Sequence, residues 1–347
     1  MTRRINVGSV PIGGGAPVTV QSMTTTPTSD VAATIAQIRE LEAASCDIVR
    51  VAVPDLPSAQ AIAQIRKGIS IPIVADIHFD YKLALASIAA GVDKIRINPG
   101  NIGSAEGVRA VADACGARGI PIRIGVNGGS VSRKILDRFG GHPTAEGLVE
   151  SALEHTALLE ECDFRDICIS VKSSDVRTTV AAYRALSQRV DYPLHLGVTE
   201  AGTEFAGTIR SAAGIGALLL DGIGDTIRVS LTAHPVREVT AGIELLRSLD
   251  LRPSGARLIS CPTCARCKYD MFPIAKQVEA RLAELPPERN ITVAVMGCTV
   301  NGPGEAREAD FGIAGGDGVG VLFQNGEVVG KAPQDELVAQ LFTLINK

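Results

Sequence analysis

The chain has 347 residues, enough for one large barrel with a small second domain or for two ordinary domains. Hydrophobic residues make up 46% and aromatics only 3%, with no Trp, so Ala, Val, Ile, Leu and Gly must fill the interior, as suits packed α/β layers. The net charge of −4 gives no global sign of nucleic acid, and no apolar window is long enough for a membrane span or reads as a secretory signal, so a cytoplasmic protein with reduced cysteines is expected.

Short β-branched runs alternate with amphipathic stretches along the first 250 or so residues. Strands are expected at 19–24, 47–53, 71–78, 94–98, 120–127, 167–173, 193–200 and 226–232. The helices between them carry start and stop signals. Asp80 can cap a helix at 81–90 that Gly91 ends, Ser104 and Asp175 can cap later ones, and Pro235 sits where a first-turn proline belongs. Eight strands each followed by a helix is the rhythm of a (β/α)8 TIM barrel. A doubly wound sheet is the alternative, but no G-x-G-x-x-G follows the first strand. The loop 128–144, with Arg133, Lys134, Arg138 and His142, reads as a candidate lid.

Residues 252–255 read as a linker. Beyond them a helix at 274–285, a strand at 292–296 and a hairpin of 319–324 with 327–331 around Asn325-Gly326 suggest a small α+β domain. The boundaries are therefore 1–252 and 253–347.

The carboxyl ends of the expected barrel strands are polar, where barrel enzymes place their chemistry. They carry Arg50, Asp76, His78, Arg96, Asn98, Arg123, Asn127, Lys172, Glu200, Arg228 and Ser230. Asp76/His78, Arg96/Asn98 and Arg228/Ser230 are i, i+2 pairs, so both members of each share a strand face, and Ile77, Ile97 and Val229 face the helices. Five cations (Arg50, Arg96, Arg123, Lys172, Arg228) meet two carboxylates (Asp76, Glu200), a surplus of three. Buried charge needs compensation, and a compact ligand with two phosphates suits arginine forks. Internal ion pairs filling the barrel are the blander alternative. His142, His155, His195 and His234 read as ordinary core or surface histidines.

Four of the eight cysteines fall in the last quarter, as Cys261-Pro-Thr-Cys-Ala-Arg-Cys267 and Cys298. The other four, Cys46, Cys115, Cys162 and Cys168, have apolar neighbours and read as small core residues. The spacing C-x2-C-x2-C fits neither a bacterial ferredoxin run, since residue 271 is Met, nor a C-x3-C-x2-C motif. Spacing alone does not separate an iron–sulfur cluster from a structural zinc site. The turn Asn301-Gly302-Pro303-Gly304 can bring Glu305 back toward the metal, and a carboxylate there suits a site that opens for substrate.

Seven motifs in order carry a family resemblance: Val20-Gln-Ser-Met23, Arg50-Val-Ala-Val-Pro54, Ala75-Asp-Ile-His78, Ile95-Arg-Ile-Asn-Pro-Gly-Asn101, Gly222-Ile-Gly-Asp-Thr-Ile-Arg-Val-Ser230, Ile259-Ser-Cys-Pro-Thr-Cys264 and Gly297-Cys-Thr-Val-Asn-Gly-Pro-Gly-Glu305. The chain resembles the 4-hydroxy-3-methylbut-2-enyl diphosphate synthases of the non-mevalonate isoprenoid pathway, in their short bacterial two-domain form. The resemblance implies a TIM barrel followed by a [4Fe–4S] domain. It implies reductive ring opening and dehydroxylation of 2-C-methyl-D-erythritol 2,4-cyclodiphosphate, with flavodoxin or ferredoxin as reductant. It also implies that Cys261, Cys264 and Cys298 hold three irons and Glu305 the fourth. Arg50, Arg96, Arg123, Lys172, Arg228 and Ser230 would hold the diphosphate. Asp76, His78, Asn98, Asn127 and Glu200 would line the same mouth, with Asn301 a further substrate contact and Glu200 the candidate for proton delivery. Family members are homodimers in which one subunit's cluster domain closes over the other's barrel. Cys267 lies outside the family pattern and is expected to be a bystander. The competing classes are a phosphate-ligand-binding barrel with a zinc-stabilised interaction domain and a pterin- or phosphate-handling transferase.

Overall fold

The computed structural model describes all residues except Ser254, Pro287, residues 299–303 and Glu305. The chain divides into two compact units, Met1–Arg252 and Pro253–Lys347. Among the described residues no helix is long and apolar enough to cross a membrane.

The first unit begins with a hairpin, β1 (Ile5–Val7) and β2 (Val10–Ile12), paired antiparallel. The barrel follows as β3 (Thr19–Met23), β4 (Ile48–Ala52), β5 (Ile73–Asp76), β6 (Lys94–Ile97), β7 (Ile122–Asn127), β8 (Ile167–Lys172), β9 (His195–Leu196) and β10 (Thr226–Ile227). All neighbours in the order β8-β7-β6-β5-β4-β3-β10-β9 are parallel, and a parallel bridge between Ile169 and Leu194 joins the two ends. The expected TIM barrel is therefore present.

Helices α1 (Val31–Ala43), α2 (Leu56–Ile65), α3 (Tyr81–Ala89), α4 (Ala105–Gly116), α5 (Arg133–Arg138), α6 (Ala145–Glu160), α7 (Val176–Ser187), α8 (Glu204–Leu220) and α9 (Pro235–Ser248) connect the strands. Side chains of Asp80, Ser104 and Asp175 accept from backbone N–H groups of the first turns of α3, α4 and α7, as their positions suggested. Ile77, Ile97 and Val229 are buried in the apolar layer between strands and helices, which leaves the alternate positions pointing inward.

Three features differ from the sequence expectation. The β1–β2 hairpin is additional; it packs Ile5, Val7 and Ile12 against Ile48, Val74 and Cys168, near the amino ends of β4, β5 and β8. The ladders of β9 and β10 are only 2 residues long each, against the longer runs expected. The loop after β7 is partly helical, holding a 3-10 turn at Gly128–Ser130 and then α5.

The second unit holds β11 (Ala256–Ser260), α10 (Met271–Leu282), β12 (Ile291–Met296), β13 (Phe311–Ala314), β14 (Val319–Gln324), β15 (Glu327–Pro333) and α11 (Leu337–Ile345). Its sheet runs in order β11 to β15, the first three strands parallel and the rest antiparallel. Val278, Leu341 and Phe342 of the two helices share a core with Val293, Val295 and Ile313 of the sheet. Asn325 and Gly326 both have positive φ (50° and 79°), which the tight β14–β15 turn requires.

Candidate active site

Register builds the site in the barrel. Asp76 on β5 pairs with Arg96 on β6, and Arg96 in turn with Arg123 on β7. Arg96 Nη1 donates to Asp76 Oδ1 at 2.9 Å, and Arg50 Nε approaches Asp76 Oδ2 at 3.6 Å. His78 Nε2 lies 3.5 Å from Asp76 Oδ1 and 3.3 Å from Arg96 Nη1, although His78 is 58% exposed beside exposed Phe79. Burial pushes the Asp76 carboxyl up, but Arg50, His78, Arg96 and Arg123 outweigh it and hold the group well below the usual carboxylate range.

The other cations surround this carboxylate. Arg50 Nη2 and Nε sit 3.0 and 3.2 Å from the Met23 sulfur. Arg228 donates to Glu238 of α9 at 3.4 Å, and Glu238 also accepts from Ser22 Oγ and the Leu231 N–H. Arg123 donates to Ser170 Oγ at 3.0 Å but leaves Nε and Nη2 without partners among the described residues. Burial lowers Arg123 to about 10, with Arg96 acting in the same direction. Burial also lowers Lys172 well below its ordinary value, reinforced by Arg123, Arg50, Arg228 and Arg96.

Two glycines make room for this crowding. A Cβ on Gly125 would fall on Arg96 Nε, and one on Gly197 would lie 2.6 Å from Lys172 Nζ. Arg96 Nη2 then donates to the Gly125 carbonyl at 3.2 Å. Both glycines are sites of close approach, and sequence pattern alone gave no reason to single them out.

Arg50, Asp76, His78, Arg96, Arg123, Lys172 and Arg228 thus converge through contacts or mutual electrostatics. Asn98 is buried, its Oδ1 accepts from the Gly100 N–H at 3.2 Å, and its Nδ2 has no partner among the described residues. Asn127 caps the 3-10 turn after β7, and Ser230 is half-buried beyond β10. Glu200 is not brought into this network: it is exposed, in left-handed backbone (φ 52°), with no ion pair among the described residues. The second carboxylate among the cations is Glu238. The surplus of three positive charges stands, since five cations still face two carboxylates. Orphaned buried donors on Arg96, Arg123, Arg228 and Asn98 leave capacity for an oxyanion.

In the second unit, Cys261 continues β11 and its N–H donates to the Val295 carbonyl of neighbouring β12. Cys298 follows the end of β12, so both cysteines leave the same edge of adjacent parallel strands. A Cβ on Gly297 would touch both Cys267 Sγ and Cys261 Sγ, at 3.4 and 3.5 Å. Burial raises the Tyr269 phenol, and Cys267, Cys261 and Cys298 push it the same way, so three sulfurs lie within electrostatic reach of one ring. The Arg266 N–H holds exposed Cys264 below the usual thiol range, favouring thiolate. Cys267 Sγ donates to the Tyr269 carbonyl at 3.2 Å. A soft thiolate set at two adjacent strand ends, with a glycine keeping space beside the sulfurs, fits an iron–sulfur cluster. Among the described residues no three such side chains are grouped at single-ion spacing. Asn301 and Glu305 lie outside the described residues.

Comparison with known proteins bears on both units. The GcpE TIM-barrel domain matches residues 2–243 and the GcpE protein C-terminal domain matches residues 257–347. A protein of Geobacter sulfurreducens named 4-hydroxy-3-methylbut-2-en-1-yl diphosphate synthase (flavodoxin) is 56% identical, over 100% of this chain and 97% of its own. One of Clostridium perfringens with the same name is 57% identical over 99% and 98%. Among solved structures, dihydropteroate synthase from Stenotrophomonas maltophilia aligns with a TM-score of 0.51 at 15% identity, over 72% of this chain and 97% of its own, a likeness of fold alone. Family matches to both units and identity across nearly the whole length place this chain in the GcpE family.

Proposed function

We propose that the chain is a flavodoxin-dependent oxidoreductase that converts 2-C-methyl-D-erythritol 2,4-cyclodiphosphate to (E)-4-hydroxy-3-methylbut-2-enyl diphosphate. The relatives' names carry the product and the reductant. The observation that carries the substrate class is the surplus of buried cations with orphaned donors at the barrel mouth. In the reaction the ring carbon–oxygen bond to phosphate opens, a hydroxyl leaves as water with a proton, and two electrons enter.

Arg50, Arg96, Arg123, Lys172, Arg228 and Ser230 bind the diphosphate, Asn98 and Asn127 orient the carbon skeleton, and Asn301 adds a contact. Asp76 and His78 hold Arg96 in place, which costs no reorganisation when the ligand arrives. Glu200, a strand-end carboxylate with no ion pair among the described residues, is assigned delivery of the proton to the departing hydroxyl. Cys261, Cys264 and Cys298 with Glu305 hold a [4Fe–4S] cluster, which when bound supplies electrons one at a time. The enzyme works in the cytoplasm as a homodimer, one subunit's cluster domain serving the partner's barrel.

The test is anaerobic purification, a cluster spectrum, and turnover of the cyclic diphosphate with reduced flavodoxin or a strong chemical reductant. A colourless zinc-loaded protein without turnover overturns the reading. For the dimer, Arg96→Ala mixed with Cys298→Ser should regain part of the activity through hybrid dimers. No recovery after demonstrated subunit exchange sinks the cross-subunit site.

A further inference from the structure

Below the cations of the mouth lies another cation that the mechanism does not use. Lys94 opens β6, in register with Val74 of β5 and two residues before Arg96, so it shares Arg96's inward face. It is 0% exposed, and its Nζ has no hydrogen-bond partner among the described residues. The ionisable groups facing it are Cys168 of β8, Arg123 of β7, Arg50 of β4 and His195 of β9, none of them a carboxylate. The remaining inward positions add further orphans: Thr19 Oγ1, both side-chain atoms of Gln21, both ring nitrogens of His195 and Thr226 Oγ1. A charged ammonium in this place has neither solvent nor a counter-ion.

We infer that Lys94 is a positioning residue of the anion site: an amine at the barrel floor that takes up a proton from solvent when a diphosphate binds above it. The inference rests on the diphosphate reading of the barrel. The ligand supplies the negative charge that the floor lacks, and Lys94 answers it through Arg123 and Arg50 without touching it. Burial holds Lys94 at about 8 in the free protein, with Arg123 and Arg50 acting in the same direction and Cys168 against them. A bound anion raises that value. Uptake is therefore largest just above pH 8 and vanishes well below it, where Lys94 already carries its proton.

The test is calorimetric titration of the anaerobically purified holoprotein with inorganic pyrophosphate, in pairs of buffers with different ionisation enthalpies, at pH 6.5 and 8.5. Pyrophosphate's own ionisation and Lys172 contribute alike to wild type and variant, so they drop out of the difference. At pH 8.5 wild type should take up about half a proton or more beyond Lys94→Met, with little difference at pH 6.5. At pH 6.5 the variant should bind about tenfold more weakly. Equal proton counts at both values, with binding retained, overturn the inference and leave the diphosphate reading intact. Absence of pyrophosphate binding removes that reading and the inference with it. Lys94→Gln is the second variant if Lys94→Met does not fold. If neither folds, 15N NMR of the lysine amines in the wild type at pH 8.5 decides, and a Lys94 amine whose charge state does not change on adding pyrophosphate overturns the proposal.

Discussion

Asp76 and Arg96 are joined at 2.9 Å across neighbouring strands, with side chains only 7% and 12% exposed. One carboxylate also faces Arg50 and His78, so it is the hub on which the cations of the mouth are ordered. Removing it should leave Arg50 and Arg96 buried without compensation. Asp76→Asn is expected to destabilise the protein by about 3–5 kcal/mol. Thermal unfolding at pH 7 measures this, and an unchanged midpoint contradicts the hub. Because the folded carboxyl titrates below its unfolded value, its stabilisation is present above pH 4 or so and is lost as the pH falls further.

Gly125→Ala places a methyl where Arg96 Nε sits, and Gly197→Ala does the same to Lys172 Nζ. Each should displace its cation. The expected result is a KM for the cyclic diphosphate raised about tenfold or more, with kcat reduced less. Steady-state kinetics on both variants decides, and an unaltered KM in both argues against the close approach.

Glu238 and Glu200 should separate cleanly. Glu238→Gln weakens the anchor of Arg228 and should lower stability by about 1–3 kcal/mol. Glu200→Gln should leave the unfolding midpoint and KM almost unchanged while lowering kcat by about 10²–10⁴. A normal kcat for Glu200→Gln removes it from proton delivery.

Cys264→Ser should lose the cluster and Cys267→Ser should keep it, since the Cys267 thiol is occupied with the Tyr269 carbonyl. Iron and sulfide analysis of both variants after anaerobic purification gives the answer. Equal loss in the two would make Cys267 a ligand.

His155 packs on Gly100, where an added Cβ would meet its Nε2 at 2.5 Å, and its Nδ1 has no partner among the described residues. Burial lowers it to about 4. The unfolded chain then binds the extra proton, so stability is full above pH 6.5 and declines as pH falls toward 4, by up to about 3 kcal/mol. His195 acts in the same direction, so the measurement is the difference between wild type and His155→Gln across pH 4–7. Parallel curves refute the assignment.

Period-two polar pairs made the barrel mouth readable, because Asp76/His78 and Arg96/Asn98 break an otherwise apolar alternation. Met23 escaped that reading because a thioether carries no charge. Glu238 escaped it because a lone glutamate between Arg237 and Val239 looks like a solvated helix position, although the fold buries it on Arg228. Glu200 was visible as a strand-end carboxylate, but the ladder of β9 stops at Leu196 and the chain turns the side chain to solvent. Lys94 read as the mere beginning of a strand, and only register shows what lies around it. The β1–β2 hairpin has strands of 3 residues, too short for alternation to register.

That hairpin makes the barrel a blind alley. With Ile5, Val7 and Ile12 packed on Ile48, Val74 and Cys168, the hairpin covers the amino ends of those strands, and the cations are approached from the carboxyl end. Water displaced by an arriving ligand leaves against the incoming flow, and product departs by the route the next substrate needs.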